Sequence, residues 1–332
     1  MRAEMAVRSS TVAVSVAFPL YCTEVFPLPV ITNEPTTMPD VPDWVDAGRG
    51  HTPDLKWTFK ADGPLTSMRL TRETSELHLT DEIGGIYRLS STGKMTQMTR
   101  FPQKIRLLTW SDNGAYGAGI VGGNVLIRFD RQFTAIWEVE LSVDCEAIAI
   151  DAYGQFTAVA FKDSGNLVLD PYHQKVGIFQ TMRPVKYMEF IQDEPAIVVA
   201  AEHGMIACFD LVGKSIWDEK LWSNAGDLSL AQISHQIWLA GYMHGLQIFG
   251  FHGETEGSYL IEGNASKVSV SARGDKIATF TIEQNMLWMD KDSEIIWSTH
   301  VPFNIAYLQA DPLGRELILA DPEGKVYCLA WG

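Results

Sequence analysis

Tryptophan recurs along the chain at intervals of 80 residues, at Trp57, Trp137, Trp217 and Trp297. A finer period of 40 residues runs through the same stretches, because four aspartates share one phase of it: Asp130, Asp170, Asp210 and Asp290. Repeats of about 40–45 residues are typical of the blades of a β-propeller, each of which is one four-stranded sheet. The spacing therefore predicts a ring of blades.

Each repeat carries four short apolar runs separated by turn residues, and these runs are too short and too evenly spaced to be helices. In the second repeat the runs are Ile105–Trp110, Tyr116–Val121, Val125–Asp130 and Ala135–Leu141. The repeats are predicted to begin near Leu65, Ile105, Cys145, Val185, Leu228, Val268 and Ile305. The fold class is therefore all-β, with four-stranded blades.

The C terminus indicates how the ring closes. The seventh repeat ends at Gly332 after its third strand, so the fourth strand of that blade is missing. Its tryptophan would fall 40 residues after Trp297, at position 337, and Trp57 lies seven repeats, or 280 residues, before that position. We therefore predict a seven-bladed β-propeller in which an N-terminal strand, residues 54–60, completes the last blade and removes an open sheet edge.

The region before the repeats differs in character from the rest of the chain. Residues 1–53 are rich in proline and lack the repeat, so we predict an N-terminal arm followed by a propeller over residues 54–332. The alternation over Val12–Phe18 is typical of a strand. The arm either lies along the propeller flank or adds a strand to a partner. Arg2 and Arg8 before an apolar run leave a further interpretation open, in which residues 1–17 are a secretory signal peptide.

The charge balance narrows the class of partner. The chain has 26 basic and 41 acidic side chains and a net charge of −15. Nucleic-acid binders need a basic footprint to displace counterions from phosphates, so we predict no nucleic-acid partner. No membrane insertion is predicted either, because the longest apolar stretch, Thr11–Ile31, is broken by three prolines. A neutral or cationic protein partner is the expectation.

The four cysteines are Cys22, Cys145, Cys208 and Cys328, and their spacing matches no metal-binding motif. Cys208 and Cys328 lie three repeats apart, which predicts one equivalent inner-strand position in two distant blades and no disulfide between them. Buried free thiols favour a reducing compartment. We therefore expect a cytoplasmic protein, or an exported one if residues 1–17 are a signal peptide.

Two phrases carry a resemblance to known repeats. Asn124–Trp137 and Gly204–Trp217 share a third strand, its closing aspartate, a turn and a tryptophan seven residues after that aspartate. These phrases resemble the repeats of PQQ-like (quinoprotein-type) and WD40-like β-propellers, and the resemblance implies that fold over nearly all of residues 54–332. The chain has no pair of adjacent cysteines, which quinoprotein dehydrogenases of the Trp-motif type place beside the cofactor. No cofactor is predicted.

Propellers bind ligands on the face that carries the loops between second and third strands and the loops between blades; we name this the top face. The candidate binding residues in these loops are Arg183, Glu202, His203, Trp222, Tyr242, His244, Glu283 and Asp321. The set predicts an acidic face. His203 and His244 could share a metal with Glu202 or Glu283. Hairpin tips favour such residues for turn reasons, so the leading interpretation is an interaction rim without a metal.

The leading hypothesis for function is a non-catalytic scaffold in a bacterial multi-subunit system, which presents its acidic top face, and also its arm, to protein partners. The first alternative is an enzyme: a quinone- or metal-dependent oxidoreductase, lyase or hydrolase with His203, His244 and Arg183 in a top-face funnel. The second alternative is an envelope assembly factor, which requires that the N terminus be a signal peptide.

Overall fold

Seven antiparallel sheets make up nearly all of residues 40–332, the part of the chain that the computed structural model describes. Each sheet is one blade, and the innermost strand of each blade contacts that of the next around a closed ring. The all-β, seven-bladed prediction is confirmed. Across residues 40–332 there is no helix with the length and apolar character that crossing a membrane requires.

A short helix and two strands precede the first blade: α1 (Asp43–Asp46), β1 (Arg49–Gly50) and β2 (Asp54–Lys60). Blades 1 to 3 consist of β3 (Leu65–Leu70), β4 (Leu77–Asp81), β5 (Gly85–Leu89), β6 (Met95–Arg100), β7 (Ile105–Trp110), β8 (Tyr116–Val121), β9 (Val125–Asp130), β10 (Ala135–Glu140), β11 (Cys145–Ile150), β12 (Thr157–Phe161), β13 (Gly165–Leu169) and β14 (Lys175–Gln180). Blades 4 to 7 consist of β15 (Tyr187–Phe190), β16 (Ala196–Ala201), β17 (Met205–Asp210), β18 (Ser215–Lys220), β19 (Ala225–Ala231), β20 (Gln236–Gly241), β21 (Gly245–Gly250), β22 (Thr255–Tyr259), β23 (Ala265–Val270), β24 (Lys276–Thr281), β25 (Asn285–Asp290), β26 (Ile295–His300), β27 (Tyr307–Ala310), β28 (Glu316–Ala320) and β29 (Lys325–Ala330).

The two ends of the chain meet in blade 7. Strand β2 pairs antiparallel with β29, which places Trp57 opposite Cys328. Lys56 on β2 forms an ion pair with Glu316 on β28, two strands away in the same blade. The predicted closure by residues 54–60 is therefore confirmed: β2 supplies the fourth strand of blade 7.

The recurring aspartates close the turns between third and fourth strands. Asp130 Oδ1 accepts hydrogen bonds from the amides of Gln132 and Thr134, each at 2.8 Å. The equivalent contacts, to the residues two and four positions on, recur at Asp170, Asp210 and Asp290. A carboxylate that binds the backbone two residues ahead stabilises a tight turn, and this explains why aspartate recurs in one phase of the repeat.

The recurring tryptophans join neighbouring blades at the outer wall. The indole nitrogens of Trp57, Trp137 and Trp217 each donate to a carbonyl 34 residues ahead, in the third-to-fourth turn of the next blade, at 3.1, 2.8 and 2.7 Å. Trp297 has no such partner among the described residues. Its next blade is the one that the two chain ends complete, so the turn that would supply the carbonyl does not exist.

Residues 43–51 occupy the place of that missing turn. Trp44 is buried against Trp297, Phe303 and Tyr327, with ring centroids 6.5, 5.8 and 5.6 Å from its own. The hydroxyl of Thr299 donates to the Trp44 carbonyl. Strand β1 pairs with β26 and makes blade 6 five-stranded. The rest of the predicted arm, including Val12–Phe18 and the signal-peptide interpretation, lies outside the described residues.

Two sequence-based expectations were wrong in detail. The first strands of blades 5 and 6 begin at Ala225 and Ala265, three residues before the predicted Leu228 and Val268. The same β-bulge follows the strand start in blades 1 to 3, where the start was predicted correctly. Blades 5 and 6 differ because small and polar residues, such as Asp227, lie at the bulge and resemble a loop in sequence. Cys208 and Cys328 lie in third strands and not inner ones, although both are free and buried as expected.

His78 on β4 is fully buried between blades 1 and 2. Its ring stacks on Trp110 with centroids 4.1 Å apart, and neither ring nitrogen has a hydrogen-bond partner among the described residues. Burial, together with the nearby charges of Arg88 and Arg131, holds the pKa of His78 well below its ordinary value of 6.5. The imidazole is therefore neutral in the folded protein under mildly acidic conditions.

This neutral histidine predicts a loss of stability at acidic pH. Below pH 6.5 the unfolded chain binds a proton at His78 that the folded chain does not bind. Lowering the pH in this range should therefore lower the free energy of unfolding by about 1.4 kcal/mol per pH unit. His78→Phe retains the stacked ring and removes the titration. Urea unfolding of both proteins between pH 7 and pH 5.5 measures the difference; parallel pH dependences would contradict the assignment.

Candidate functional site

The central channel is the first cavity that could hold a ligand. It has a volume of about 310 Å³ and is lined by the inner strands of all seven blades. Side chains of one inner strand accept hydrogen bonds from backbone amides of the next: Ser67 from Leu108 at 3.1 Å, and Ser269 from Ala310 at 2.8 Å. Gln309 does the same for Leu70 across the chain ends. These contacts satisfy the inward-facing strand edges.

Four charged side chains cross this channel at the end opposite to the top face. Arg72 pairs with Glu189 and, at 3.7 Å, with Asp112, while Arg69 lies 3.5 Å from Glu189 and 4.0 Å from Asp112. The cluster joins blades 1, 2 and 4. Its charges balance, and Glu189 Oε2 also accepts a hydrogen bond from the amide of Leu230 at 3.2 Å. We interpret the cluster as a structural tie across the ring.

The top face carries an apolar surface over blades 4 to 6. Five large side chains at loop tips share strong solvent exposure, and we name them the top-face arc: Met182, Trp222, Met243, Leu260 and Ile282. Trp222 is 89% exposed, Leu260 93% and Met243 80%. Single exposed apolar residues are ordinary on protein surfaces, whereas several on adjoining loops mark an interaction surface.

Backbone contacts hold the loops of the arc side by side. The amide of Met243 donates to Ser223 Oγ at 3.1 Å, and the amide of Tyr242 donates to the Asn224 carbonyl at 3.1 Å. Gly245, with a φ of +67°, approaches the Tyr259 carbonyl so closely that a Cβ would not fit. These contacts place the loop of Trp222, the hairpin of Met243 and the strand end before Leu260 next to one another.

The far end of the arc is held in the same way. Both oxygens of Glu283 accept from Asn264, one from its backbone amide at 2.9 Å and one from its side chain at 2.7 Å. The amide of Ile282 donates to the Asn264 carbonyl at 2.9 Å. The hydrogen bonds from Asn264 lower the pKa of Glu283. Glu283 is therefore a loop-positioning residue as well as a charge on the surface.

Many acidic side chains of the top face lie in ion pairs with bases. The pairs and their N–O distances are Asp62–Arg100 at 2.6 Å, Glu202–Lys186 at 2.7 Å, Asp144–Lys162 at 2.9 Å and Glu82–Lys104 at 3.3 Å. The ammonium group of Lys186 lowers the pKa of Glu202. Local pairing of this kind reduces the field that the acidic residues present to a partner.

Apart from Glu283, which lies in the β24–β25 turn described above, the predicted site residues fall into three groups. Arg183, Glu202 and His203 line one cleft of about 350 Å³ between blades 3 and 4. Trp222, Tyr242 and His244 lie in the two adjoining loops that follow. Asp321 is separate, because it lies on blade 7 and its carboxylate accepts from the amide of Lys325 at 2.9 Å as a turn residue.

The two histidines belong to different blades. His203 is in the β16–β17 hairpin of blade 4, where its Nδ1 lies 3.5 Å from Asn224 Oδ1, and His244 is in the β20–β21 hairpin of blade 5. Within residues 40–332 no three His, Cys, Asp or Glu side chains are grouped so that they could hold a metal ion.

The predicted candidate residues include one member of the arc, Trp222, and not the other four: Met182, Met243, Leu260 and Ile282. Each is an apolar residue placed among turn residues, outside the alternation of its neighbouring strands. That position is the signal by which they could have been found, since an apolar side chain at a hairpin tip has no sheet face to pack against.

No protein-family model matches the chain, and no curated protein matches it. Solved structures do match, 1843 chains in all, so the fold is widely shared and does not by itself indicate one function. One of them is the crystal structure of the β-propeller domain of Cps50 (Swd1) from Myceliophteria thermophila, with a TM-score of 0.74 and 15% sequence identity. The match covers 84% of this chain and 100% of that domain, and it supports the propeller fold.

Proposed function

We propose that this protein is a non-catalytic scaffold that binds a protein partner through the top-face arc. The observation that carries the proposal is the exposure of Trp222, Met243 and Leu260 on loops that hydrogen bonds hold in fixed positions. Tryptophan is enriched among the residues that contribute most to binding in protein interfaces, and methionine adapts to varied partner shapes. Fixed loops lose little conformational entropy on binding.

The charge distribution supports the same proposal. A net charge of −15 favours encounter with a neutral or cationic partner. On the top face, acidic side chains are paired with bases, so the apolar arc is the main surface that this face offers to a partner. Apolar surface at the centre of a patch and charges at its rim are typical of protein–protein interfaces.

The cellular setting is part of the proposal. We place the scaffold in the cytoplasm of a bacterium, as one subunit of a larger assembly. The buried free thiols of Cys145, Cys208 and Cys328 support a reducing compartment. Burial raises the pKa of Cys145 and of Cys208 to about 12, so both are thiols and unreactive at neutral pH. The sequence segments that end at Trp137 and Trp217 support a relationship of the blades to PQQ-like and WD40-like repeats. This relationship concerns the repeat sequence and not a function.

Replacing the aromatic residue of the arc tests this function. We expect Trp222→Ser to weaken partner binding by at least 30-fold, because a tryptophan that dominates an interface contributes about 2 kcal/mol or more. The measurement is quantitative co-purification of the tagged full chain from its native cells. Tyr172→Ser is the matched control, since Tyr172 is 76% exposed on the opposite face. Proteins that co-purify equally with both variants and with the wild type would contradict the proposal.

A further inference from the structure

The cleft at one end of the top-face arc differs chemically from the arc itself. Its walls carry the bases Lys162, Arg183 and Lys186 and the acids Glu146 and Glu202. Met182, the first residue of the arc, directly precedes Arg183. An occupant of the arc that reaches blade 3 would therefore meet this cleft next.

Among the charged side chains of the cleft, Arg183 is the base and Glu146 the acid that form no ion pair within residues 40–332. Lys186 pairs with Glu202 at 2.7 Å and Lys162 with Asp144 at 2.9 Å, whereas Arg183 forms no ion pair with any residue in 40–332. The side chain of Arg183 is exposed. Glu146 lies where the cleft meets the central channel, since it lines both cavities.

The backbone that carries Arg183 is held in place. The hydroxyl of Thr181 donates to the Arg183 carbonyl at 2.8 Å and receives a hydrogen bond from Asn166 at 3.2 Å. The amide of Thr181 donates to the Ser164 carbonyl at 3.0 Å. Pro184 follows and limits the backbone further. The guanidinium is therefore presented from a fixed loop.

We propose that this cleft receives a carboxylate of the partner segment whose apolar side chains cover the arc. The proposal rests on the proposed function and adds the chemistry of the partner. A guanidinium binds a carboxylate through two parallel hydrogen bonds, a geometry that an ammonium group does not offer. The carboxylate is either the C terminus of the partner or an Asp or Glu side chain, next to a large apolar residue that contacts Met182.

Selection from random peptides tests this chemistry. The probes are two libraries, one displaying peptides with free C termini and one displaying them internally, each selected on the immobilised full chain. We expect enriched peptides to combine large apolar residues with a carboxylate. Enrichment from the first library alone indicates a terminal carboxylate, and enrichment of Asp or Glu in both indicates a side chain; either result supports the proposal.

Variants then assign the contact. We expect Arg183→Gln to weaken binding of the selected peptides by about 10- to 100-fold, as loss of a hydrogen-bonded charge contact does. Arg183→Lys should recover only part of the affinity. Arg273→Gln, an exposed arginine in the turn between β23 and β24 on the opposite face, is the matched control and should bind as the wild type does.

The possible failures are distinguishable. Peptides that lose binding in Trp222→Ser but carry no carboxylate and ignore Arg183→Gln would overturn the carboxylate proposal and leave the scaffold function standing. Selections that yield no peptide dependent on either Trp222 or Arg183 would contradict both.

Discussion

Glu189→Ala is expected to lower the free energy of unfolding by about 3–5 kcal/mol, because it removes one partner of a buried ion-pair cluster. Of the two acids in the cluster, Glu189 makes the closer contacts to both Arg72 and Arg69. Its loss leaves two guanidinium groups near the axis with Asp112 alone, and it leaves the amide of Leu230 without its acceptor. Both effects act on the folded state and at the same place.

Equilibrium unfolding in urea measures this loss, and two further variants make it specific. Glu189→Gln retains an acceptor for the amide of Leu230 but not the charge, so its loss should be smaller than that of Glu189→Ala. Glu219→Ala removes an exposed glutamate from the outer strand of the same blade and should change stability by no more than about 0.5 kcal/mol. Equal stabilities of Glu189→Ala and Glu219→Ala would show that the cluster does not tie the ring.

Trp44→Ala is expected to cost a similar amount, about 3–5 kcal/mol, since it removes a buried indole from a close-packed site. Trp44 packs on Trp297, Phe303 and Tyr327 where blades 6 and 7 meet. Without the indole, residues 43–51 lose the packing that holds them between blades 6 and 7. The place of the absent turn of blade 7 is then no longer filled. Strand β2 should then unpair from β29 more readily, because it follows this segment directly.

The matched control for Trp44→Ala is the same substitution at an exposed position. Trp222→Ala removes an indole that is 89% exposed, so it should change the free energy of unfolding by no more than about 0.5 kcal/mol. Urea unfolding compares the two variants, and limited proteolysis should show faster cleavage near residue 50 in Trp44→Ala only. If the two substitutions were equally mild, the packing of residues 43–51 would have no part in stabilising the ring.

The fold could be predicted from the sequence because its determinants are local and repeat. The aspartate of each third-to-fourth turn bonds residues two and four positions ahead, and the outer tryptophans bond a carbonyl 34 residues ahead. Both interactions impose a fixed spacing on the chain. The closing strand over residues 54–60 followed from the same spacing, since only seven repeats bring Trp57 into phase.

The bulges and the channel cluster could not be predicted in this way. A bulge places Asp227 inside a strand, where its polar character indicates a loop. The cluster joins Arg72 and Arg69 of blade 1 to Glu189 of blade 4, 117 and 120 residues away, whereas the repeating contacts join only neighbouring blades. The contact exists because the ring places blades 1 and 4 across the axis, and only the closed structure reveals it.

The candidate site was predicted in part. The phase of the repeat assigned loops to the top face, and this brought Arg183, Glu202 and His203 to one cleft. It did not predict which loops would present apolar side chains. Leu260 directly follows β22, and its 93% exposure depends on where that strand ends.

The central claim is that a protein partner covers the top-face arc, and photo-crosslinking in living cells tests it most directly. A photoreactive phenylalanine analogue replaces Met243 in one strain and Tyr172, on the opposite face, in another. We predict a discrete crosslinked protein of a second kind from position 243 that is absent from position 172 and is lost when Trp222→Ser is added. Crosslinks from position 172 alone, or none from position 243 that depend on Trp222, would contradict the account.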